Sequence, residues 1–342
     1  MESNVGAIPA DAQAAGWGFN LLIPPVAPGF CGAGLPYLHD LQLSRCGPPP
    51  IREDGVALPD VFDPQWVETI EQVINALVTT PMMAGWMGDQ ELKWGATADE
   101  TGVNDRPGLL QVCLGLDPAY RAYHSAWEFV LARHGGELSH VAEAWGVTLS
   151  GRGAVRQMTR DETMFHGPAY QQDLEAFTAE FAERYFSAVR DATRLVNASR
   201  LLFSPTLLAS TPEPVAAAAR RHCDVAVVTQ SDLPASAGPE LLVHYNWSDA
   251  PIFPDTSIGE SELEAMIREG RRHLVGAISR PNIVGYAWTP FRRGDLALDL
   301  PTAVGLLDDN GRENVVFSLP LSSINSAAGG IRAQALAPAA SP

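Results

Sequence analysis

Two carboxylates stand at the end of a short apolar run near residue 90. Asp89 and Glu91 follow the run 82–86, and Trp86 and Trp94 lie on either side of them. A buried strand that ends in carboxylates can present an acid to a ring-shaped substrate. Aromatic neighbours would desolvate the ionised form of Glu91 and raise its pKa, as a proton donor requires. The alternative is a strand followed by an acidic turn.

Asp89 has two possible roles. It could be a second acid beside Glu91, or it could accept hydrogen bonds from backbone amides at the following turn. Alternate residues on a strand share a face only while the strand stays regular. We therefore favour the structural role, and we keep Asp89 among the candidate substrate-contacting residues.

Short apolar strands and amphipathic helices alternate along the chain, which is typical of a parallel α/β sheet. For the helix at 64–78, Asp63 is the expected N-terminal cap and Pro64 occupies the first helical position. The predicted strands are 18–23, 35–38 (a weaker candidate), 82–87, 200–203, 224–229, 240–245, 282–288 and 314–321. The predicted helices are 64–78, 119–134, 170–197, 212–222 and 261–274.

Composition limits the class of protein and its partners. The chain has 342 residues, 46% of them hydrophobic, and a formal net charge of −17. Such an acidic protein is unsuited to nucleic acid or an anionic membrane surface, although acidity by itself names no substrate. We see neither an N-terminal signal segment nor an apolar run long enough to span a membrane, and we expect a cytoplasmic protein. The sequence does not predict an oligomeric state.

No cofactor or metal signature is visible. The chain contains no glycine-rich phosphate loop and no HExxH or GxSxG motif, and its histidines and carboxylates lack metal-ligand spacing. The four cysteines form no CxxC pair, which favours free thiols; Cys31 and Cys46 could bridge, but a cytosolic setting disfavours it. We therefore expect neither a cofactor nor a metal.

Several segments, taken in order, resemble the (β/α)8 glycoside hydrolases of the agarase and β-galactosidase-like branch. The resemblance runs from about residue 16 to 310 and implies a single-domain TIM barrel. It depends on the order and spacing of the pieces GFN at 18–20, LPDVFDP at 58–64, GWMGDQE at 85–91, AWG at 144–146, FAERYF at 181–186, CD at 223–224, PNIVG at 281–285, Trp288 and GLLD at 305–308.

The resemblance implies roles for residues at the strand ends. The family's fourth strand ends in Asn-Glu, whose Glu is the general acid/base, so Glu91 takes that role, with Gln90 in place of Asn. The nucleophilic Glu ends the family's seventh strand. Here His244 stands at that position, or Tyr245 if the register slips by one. One of the three residues His244, Tyr245 and Asn246 should point into the cavity.

Other family positions also differ. Thr206 and Thr229 stand where the family carries Arg and Asn at the ends of the fifth and sixth strands. Trp288 matches the residue that floors the sugar site, and Trp86, Trp94 and Trp247 are further candidates for an aromatic lining. A site that lost groups able to bind sugar hydroxyls but kept its tryptophans would favour apolar skeletons.

The resemblance leaves the first strand short or irregular. Only fifteen residues precede Gly16, so either 4–8 forms a vestigial strand or 314–321 closes the barrel from the other end. We expect one domain over 1–326 and a disordered Ala- and Pro-rich tail over 327–342.

We expect an enzyme rather than a simple binding protein. Retaining hydrolysis needs two carboxylates, and only Glu91 is in place. The sequence therefore predicts acid/base chemistry (cyclisation, dehydration or isomerisation) on a small, largely apolar molecule such as a secondary-metabolite intermediate, with Glu91 as the acid and His244 or Tyr245 as its partner. The alternatives are a true glycosidase that uses Glu91 and a non-catalytic binding barrel.

Overall fold

A computed structural model describes residues 10–24, 34–53, 55–77, 79–96, 107–160, 165–229, 238–249, 252–289, 305–308 and 310–336. The helices are α1 Ala10–Gly16, α2 Pro64–Ala76, α3 Leu109–Gly115, α4 Arg121–Arg133, α5 Leu138–Trp145, α6 Arg152–Arg160, α7 Pro168–Asn197, α8 Glu213–His222, α9 Glu262–Ile278 and α10 Val315–Leu336. The strands are β1 Tyr37–Asp40, β2 Ile51–Glu53, β3 Val56–Leu58, β4 Met83–Met87, β5 Lys93–Trp94, β6 Leu201–Leu207, β7 Val225–Val228, β8 Glu240–Tyr245 and β9 Ile283–Trp288.

The strands form an α/β fold with two sheets. The larger has the order β1-β4-β6-β7-β8-β9, with β4 parallel to β6 and β8 parallel to β9. The smaller is antiparallel, in the order β2-β3-β5. The predicted parallel α/β class is confirmed. The predicted strand at 18–23 is reduced to one parallel bridge between Leu22 and Tyr37.

A glycine allows β4 and β6 to approach closely. A Cβ atom at Gly85 would lie 2.4 Å from the carbonyl oxygen of Leu201 and 2.9 Å from the Phe203 ring. Such distances are far inside van der Waals contact, so any side chain at position 85 would push the two strands apart.

Contacts divide the chain into two compact units. One comprises 1–39, 81–84 and 227–342, and the other comprises 40–80 and 85–226. We call them the first and second unit. The single domain expected over 1–326 stays a prediction.

The second unit is built around the 30-residue helix α7, whose apolar residues recur every three or four positions. Its aromatic face meets Phe62 and Trp66: the Phe62 ring stacks on Phe177 at 5.9 Å, and the Trp66 ring stacks on Tyr185 at 5.8 Å. Helices α2, α3 and α8 pack against α7. This helix therefore provides the core of the unit.

A buried carboxylate joins three helices of the second unit. Asp173 of α7 accepts hydrogen bonds from Arg133 Nε at 2.6 Å, His134 Nε2 at 2.7 Å and Trp145 Nε1 at 2.8 Å. Burial alone would raise the pKa of Asp173, but the bonds from His134, Arg133 and Trp145 bring it below its ordinary value. The ionised carboxylate thus ties α4 and α5 to α7.

The first unit has its own aromatic core beside β8 and β9. Trp247 is fully buried, with its ring 5.5 Å from that of Trp288 and 6.0 Å from that of Phe317. Gly270 of α9 lies directly beneath it, because a Cβ there would come within 2.3 Å of the Trp247 ring. The same core contains Leu274, Leu321 and Ile324.

Two predictions at the C-terminal end are wrong. Residues 315–321, predicted as strand, begin helix α10, whose residues Phe317, Leu321 and Ile324 lie on one face and are buried in that core. The predicted disordered tail is helical from 327 to 336. Residues 337–342 lie outside the described part, as does the proposed strand at 4–8.

The predicted helix signals are confirmed where the structure describes them. Asp63 caps α2 by accepting a hydrogen bond from Gln65 N at 2.9 Å, and Pro64 opens that helix. Cys46, Cys113 and Cys223 are free thiols, whereas Cys31 lies outside the described residues. Among the helices described, none combines the length and the apolar character that a membrane crossing needs.

Candidate functional site

Asp89, two residues beyond the end of β4, is buried and fully engaged by hydrogen bonds. The backbone amide of Ser44 donates to both its oxygens, at 3.0 and 3.1 Å, and the Ser44 hydroxyl donates at 2.6 Å. The Tyr185 hydroxyl donates at 2.6 Å from α7. Asp89 therefore accepts a backbone amide as expected, although from the 3₁₀ turn Leu43–Arg45 rather than from the turn that follows it.

Asp89 is also a carboxyl group with a raised pKa. Only 4% of the residue is exposed, and this burial raises its pKa from 3.8 to about 6, although the bonds from Ser44 and Tyr185 favour the ionised form. Asp40 adds a smaller repulsion in the same direction. Burial first, and then the charge of Asp89, hold the pKa of Tyr185 well above its ordinary value. Asp89 is thus a carboxyl group at this strand end whose pKa is raised by burial.

Gln90 connects the ends of three strands. Its side-chain amide Nε2 donates a hydrogen bond to the Asp40 carboxylate at 2.6 Å. Its backbone carbonyl oxygen accepts one from the backbone amide of Thr206 at 2.8 Å. Asp40 ends β1 and Thr206 lies near the end of β6. The carboxyl ends of β1, β4 and β6 therefore bring Asp40, Gln90 and Thr206 together, at the edge of the sheet where α/β proteins hold their reactive groups.

Glu91 lies in an environment that differs from the prediction. Its side chain is exposed, whereas Trp86 and Trp94 are buried. The Trp94 ring lies edge-on to Tyr185 at 6.4 Å and stacks on Phe186 at 6.4 Å, so it faces α7. The expected enclosure of Glu91 between Trp86 and Trp94 is therefore wrong. Substrate contact by these two rings stays a prediction, which their burial does not support.

The end of β8, in the first unit, is irregular at the predicted nucleophile position. Leu242 pairs with Tyr286 and Tyr245 with Trp288, so β8 has one residue more than β9 between these pairs. His244 lies in this bulge with a φ of 54°, in the left-handed region that residues other than glycine seldom adopt. Bulges and strained residues recur beside active sites, which keeps His244 a candidate.

Tyr245 faces the helix α9. Its ring stacks on His273 at 5.8 Å and 7°, and its hydroxyl lies 3.4 Å from the Gly270 carbonyl oxygen and 3.3 Å from His273 Nδ1. The Trp288 ring lies edge-on at 6.3 Å. Of the two alternatives for the nucleophile position, Tyr245 is thus the one committed to packing.

The next two residues support the turn after β8. Asn246 Nδ2 donates to the Thr289 carbonyl oxygen at 3.0 Å, while its Oδ1 accepts from the backbone and hydroxyl of Ser248, both at 3.0 Å. Trp247 and Trp288 belong to the aromatic core described above. These contacts are structural, and the substrate-binding roles of Asn246, Trp247 and Trp288 stay predictions.

The predicted residues fall into two sets. Glu91, Asp89, Gln90 and Thr206 lie together in the second unit, which also holds Trp86 and Trp94. The first unit holds the others: His244, Tyr245, Asn246, Trp247, Trp288, and Thr229, which is partly buried just after β7.

Three residues of the second-unit set were missed from the sequence. Asp40 follows a short apolar strand, as Asp89 does, and that pattern could have identified it. Ser44 and Tyr185 give no comparable signal, since Tyr185 lies within the apolar face of a helix. In the part of the chain that is described, no three His, Cys, Asp or Glu side chains cluster as metal ligands.

The fold resembles that of several solved structures. An exo-beta-agarase matches with a TM-score of 0.70 and 17% identity over 94% of this chain and 46% of its own. An agarase matches with a TM-score of 0.66 and 18% identity over 94% of this chain and 49% of its own. A beta-galactosidase from the Antarctic haloarchaeon Halorubrum lacusprofundi matches with a TM-score of 0.54 and 13% identity, over 94% and 55%.

The similarity establishes the fold alone. The chain spans about half the length of these agarases. No protein family model matches the sequence, and no curated protein does. The predicted glycoside-hydrolase-like fold is therefore confirmed as a fold.

Proposed function

We propose that this protein is an enzyme that performs acid/base chemistry on a small molecule, with Glu91 as the proton-transferring group. We further propose that its strands belong to a (β/α)8 barrel. The observation that carries the proposal is the end of β4. There an exposed carboxylate follows two residues that are fixed by hydrogen bonds, Asp89 to Ser44 and Tyr185, and Gln90 to Asp40. A general acid or base needs this combination of access and fixed direction.

The proposed chemistry is not retaining hydrolysis. That mechanism requires a second carboxylate about 5–5.5 Å from the acid, which the family supplies at the end of its seventh strand. Within the described residues of β8 the one carboxylate is Glu240. It begins the strand, is 2% exposed and accepts a hydrogen bond from Asn282 at 2.8 Å. His244 stands at the other end, where a neutral imidazole can accept or relay a proton.

The proposed substrate carries polar groups. The four tryptophans that suggested an apolar lining are all buried in packing, so they give little support to a largely apolar molecule. Asp40, Gln90, Glu91 and Thr206 at the strand ends instead offer acceptors and donors for hydroxyl or carbonyl groups. A dehydration or isomerisation of a hydroxylated compound fits these groups. A secondary-metabolite substrate stays a prediction.

The test is to compare the wild-type protein with Glu91→Gln on a panel of hydroxylated and carbonyl compounds, followed by mass spectrometry. Glu68→Gln, an exposed glutamate on α2, is the matched control. We expect wild type and the control to convert the same compound into an isomer or a dehydrated product. Glu91→Gln should bind that compound and not convert it, because Gln keeps the shape and loses the transferable proton. Equal turnover by Glu91→Gln would exclude Glu91 as the catalyst.

A glycosidase is the second candidate, favoured by the agarase and beta-galactosidase names of the structural neighbours. Aryl β-galactosides should be added to the panel for this reason. Their steady hydrolysis by wild type and not by Glu91→Gln would replace our proposal with this one. Saturable binding of a compound with no conversion would instead indicate a binding protein.

A further inference from the structure

The buried carboxylate of Asp89, just beyond β4, accepts hydrogen bonds from residues of two other elements. Its Oδ1 accepts from the Ser44 hydroxyl at 2.6 Å and its Oδ2 from the Tyr185 hydroxyl at 2.6 Å, while the Ser44 amide lies near both. Ser44 belongs to the 3₁₀ turn after β1, and Tyr185 belongs to α7. One side chain thus joins the strand end to a turn and a helix.

The backbone beside Asp89 is adapted to this contact. A Cβ at Gly88 would lie 2.9 Å from the Tyr185 hydroxyl, so a side chain there would displace the tyrosine. The Gly88 carbonyl oxygen also accepts from the Leu43 amide at 3.0 Å. The Tyr185 ring is itself held by stacking on Trp66 at 5.8 Å. The donors therefore have little freedom to leave the carboxylate.

Stability alone does not account for a carboxylate at this position. Burying a charged group is costly, and well-packed apolar residues of similar size often serve a fold as well or better. What a hydrogen-bonded carboxylate adds is direction, because each bond constrains an angle as well as a distance. The direction fixed here is that of the chain entering Gln90 and Glu91.

We propose that Asp89 is a positioning residue, which ties Ser44 and Tyr185 to the end of β4 and thereby fixes the orientation of Glu91. Gln90, anchored to Asp40 and to the Thr206 amide, carries this constraint along the backbone. That Asp89 fixes the backbone at the end of β4 is inferred from the geometry of these hydrogen bonds alone. The effect on catalysis rests on the proposed function of Glu91.

The first experiment measures amide hydrogen exchange and needs no substrate. Tyr185→Phe removes one hydroxyl and keeps the ring. We expect exchange at the Thr206 amide, whose acceptor is the Gln90 carbonyl, to become about tenfold faster, the effect of losing one buried hydrogen bond. Tyr170→Phe is the matched control, since Tyr170 is also buried on α7 and makes its ring contacts with Trp145 and Phe165. It should leave the Thr206 amide unchanged.

The second experiment uses the compound converted in the panel above. Ser44→Ala and Tyr185→Phe should each lower kcat about tenfold with KM unchanged, and Ser44→Thr should restore the rate because it keeps the hydroxyl. Unchanged exchange at Thr206 in Tyr185→Phe, or an equal rise in Tyr170→Phe, would overturn the positioning role. Faster exchange at the Thr206 amide in Tyr185→Phe, together with full activity in Glu91→Gln, would uphold the positioning role and overturn the proposed function instead.

Discussion

The hydroxyl of Tyr185 donates a hydrogen bond of 2.6 Å to the carboxylate of Asp89, which joins the middle of α7 to the end of β4. The bond thus ties the helix α7 to the segment 89–91, which carries the candidate acid Glu91 and the buried, titratable carboxyl group of Asp89. Because burial raises the pKa of Asp89 to about 6, its protonation state changes within an accessible range of pH.

Asp89 should make the protein less stable as the pH rises from about 4 to about 6. In this window the unfolded chain releases the Asp89 proton and the folded chain retains it, so each pH unit costs up to about 1.4 kcal/mol of unfolding free energy. We expect wild type to lose about 1–3 kcal/mol more than Asp89→Asn across the window, measured by urea unfolding. Asp191→Asn, exposed on α7, should follow wild type; if Asp89→Asn does so too, the raised pKa is wrong.

Asp173→Asn should destabilise the second unit. It removes the charge that accepts bonds from Arg133, His134 and Trp145, at an expected cost of about 2–4 kcal/mol near pH 7. Because the pKa of Asp173 is lower in the folded protein than in the unfolded chain, its contribution to stability is fully present above the unfolded-state pKa. That contribution is lost as the pH falls through the folded-state pKa, so the difference in unfolding free energy between wild type and Asp173→Asn should shrink in acid. Urea unfolding at several pH values measures it.

A solvent-exposed ion pair provides the control for Asp173. Asp117 pairs with Arg156 at 3.3 Å with both side chains substantially exposed, so Asp117→Asn should cost at most about 1 kcal/mol. If Asp173→Asn loses no more unfolding free energy than this, the hydrogen bonds of Asp173 do not hold α4 and α5 to α7 as described.

Two glycines of α9 should respond to alanine in opposite directions. Gly270→Ala would place a methyl group 2.3 Å from the Trp247 ring, and we expect a loss of about 1–3 kcal/mol from overpacking. Gly276→Ala meets nothing within 4 Å and should gain up to about 1 kcal/mol from helix propensity. Thermal unfolding of the two variants distinguishes these outcomes. A tolerated Gly270→Ala would show that Trp247 is not seated on α9 as described.

The left-handed backbone of His244 predicts a preference for glycine. His244→Gly should be about 1 kcal/mol more stable than His244→Ala, since only glycine adopts a φ of 54° without strain. Gln42, with a φ of 51°, allows the same comparison at a second site. If the imidazole transfers protons, both His244 variants should lose turnover, whereas the Gln42 pair should not. Equal stability of His244→Gly and His244→Ala would contradict the left-handed conformation.

Local signals predicted much of the fold. The cap and proline at 63–64, the period of α7 and the apolar strands that became β4, β7, β8 and β9 each depend on neighbours in sequence. The C-terminal segment 314–321 was misjudged because a short apolar run does not by itself distinguish a strand from a helix. Its helical spacing, with Phe317, Leu321 and Ile324 on one face, decides the structure through packing in the core.

The surroundings of the candidate residues could be predicted only in part, and their function as a site stays a prediction. The strand-end pattern named Gln90 and Thr206, whose backbones are hydrogen-bonded to each other, while the roles assigned to them and to Glu91 stay predictions. The direction of a side chain depends on which helix packs behind the strand, and the sequence around Trp94 does not contain that information. The same limit hid Tyr185, whose hydroxyl has a role that its place on an apolar helix face conceals.

The extra residue in β8 is a position where the chain can change length in a single evolutionary step. Deleting one residue between Leu242 and Tyr245 would leave both flanking pairs with β9 intact, so a lineage could lose or acquire it without rebuilding the sheet. Such an insertion changes which side chain occupies the strand end while the core beside it is preserved. An alignment with a relative that lacks this residue should therefore place a gap between Leu242 and Tyr245.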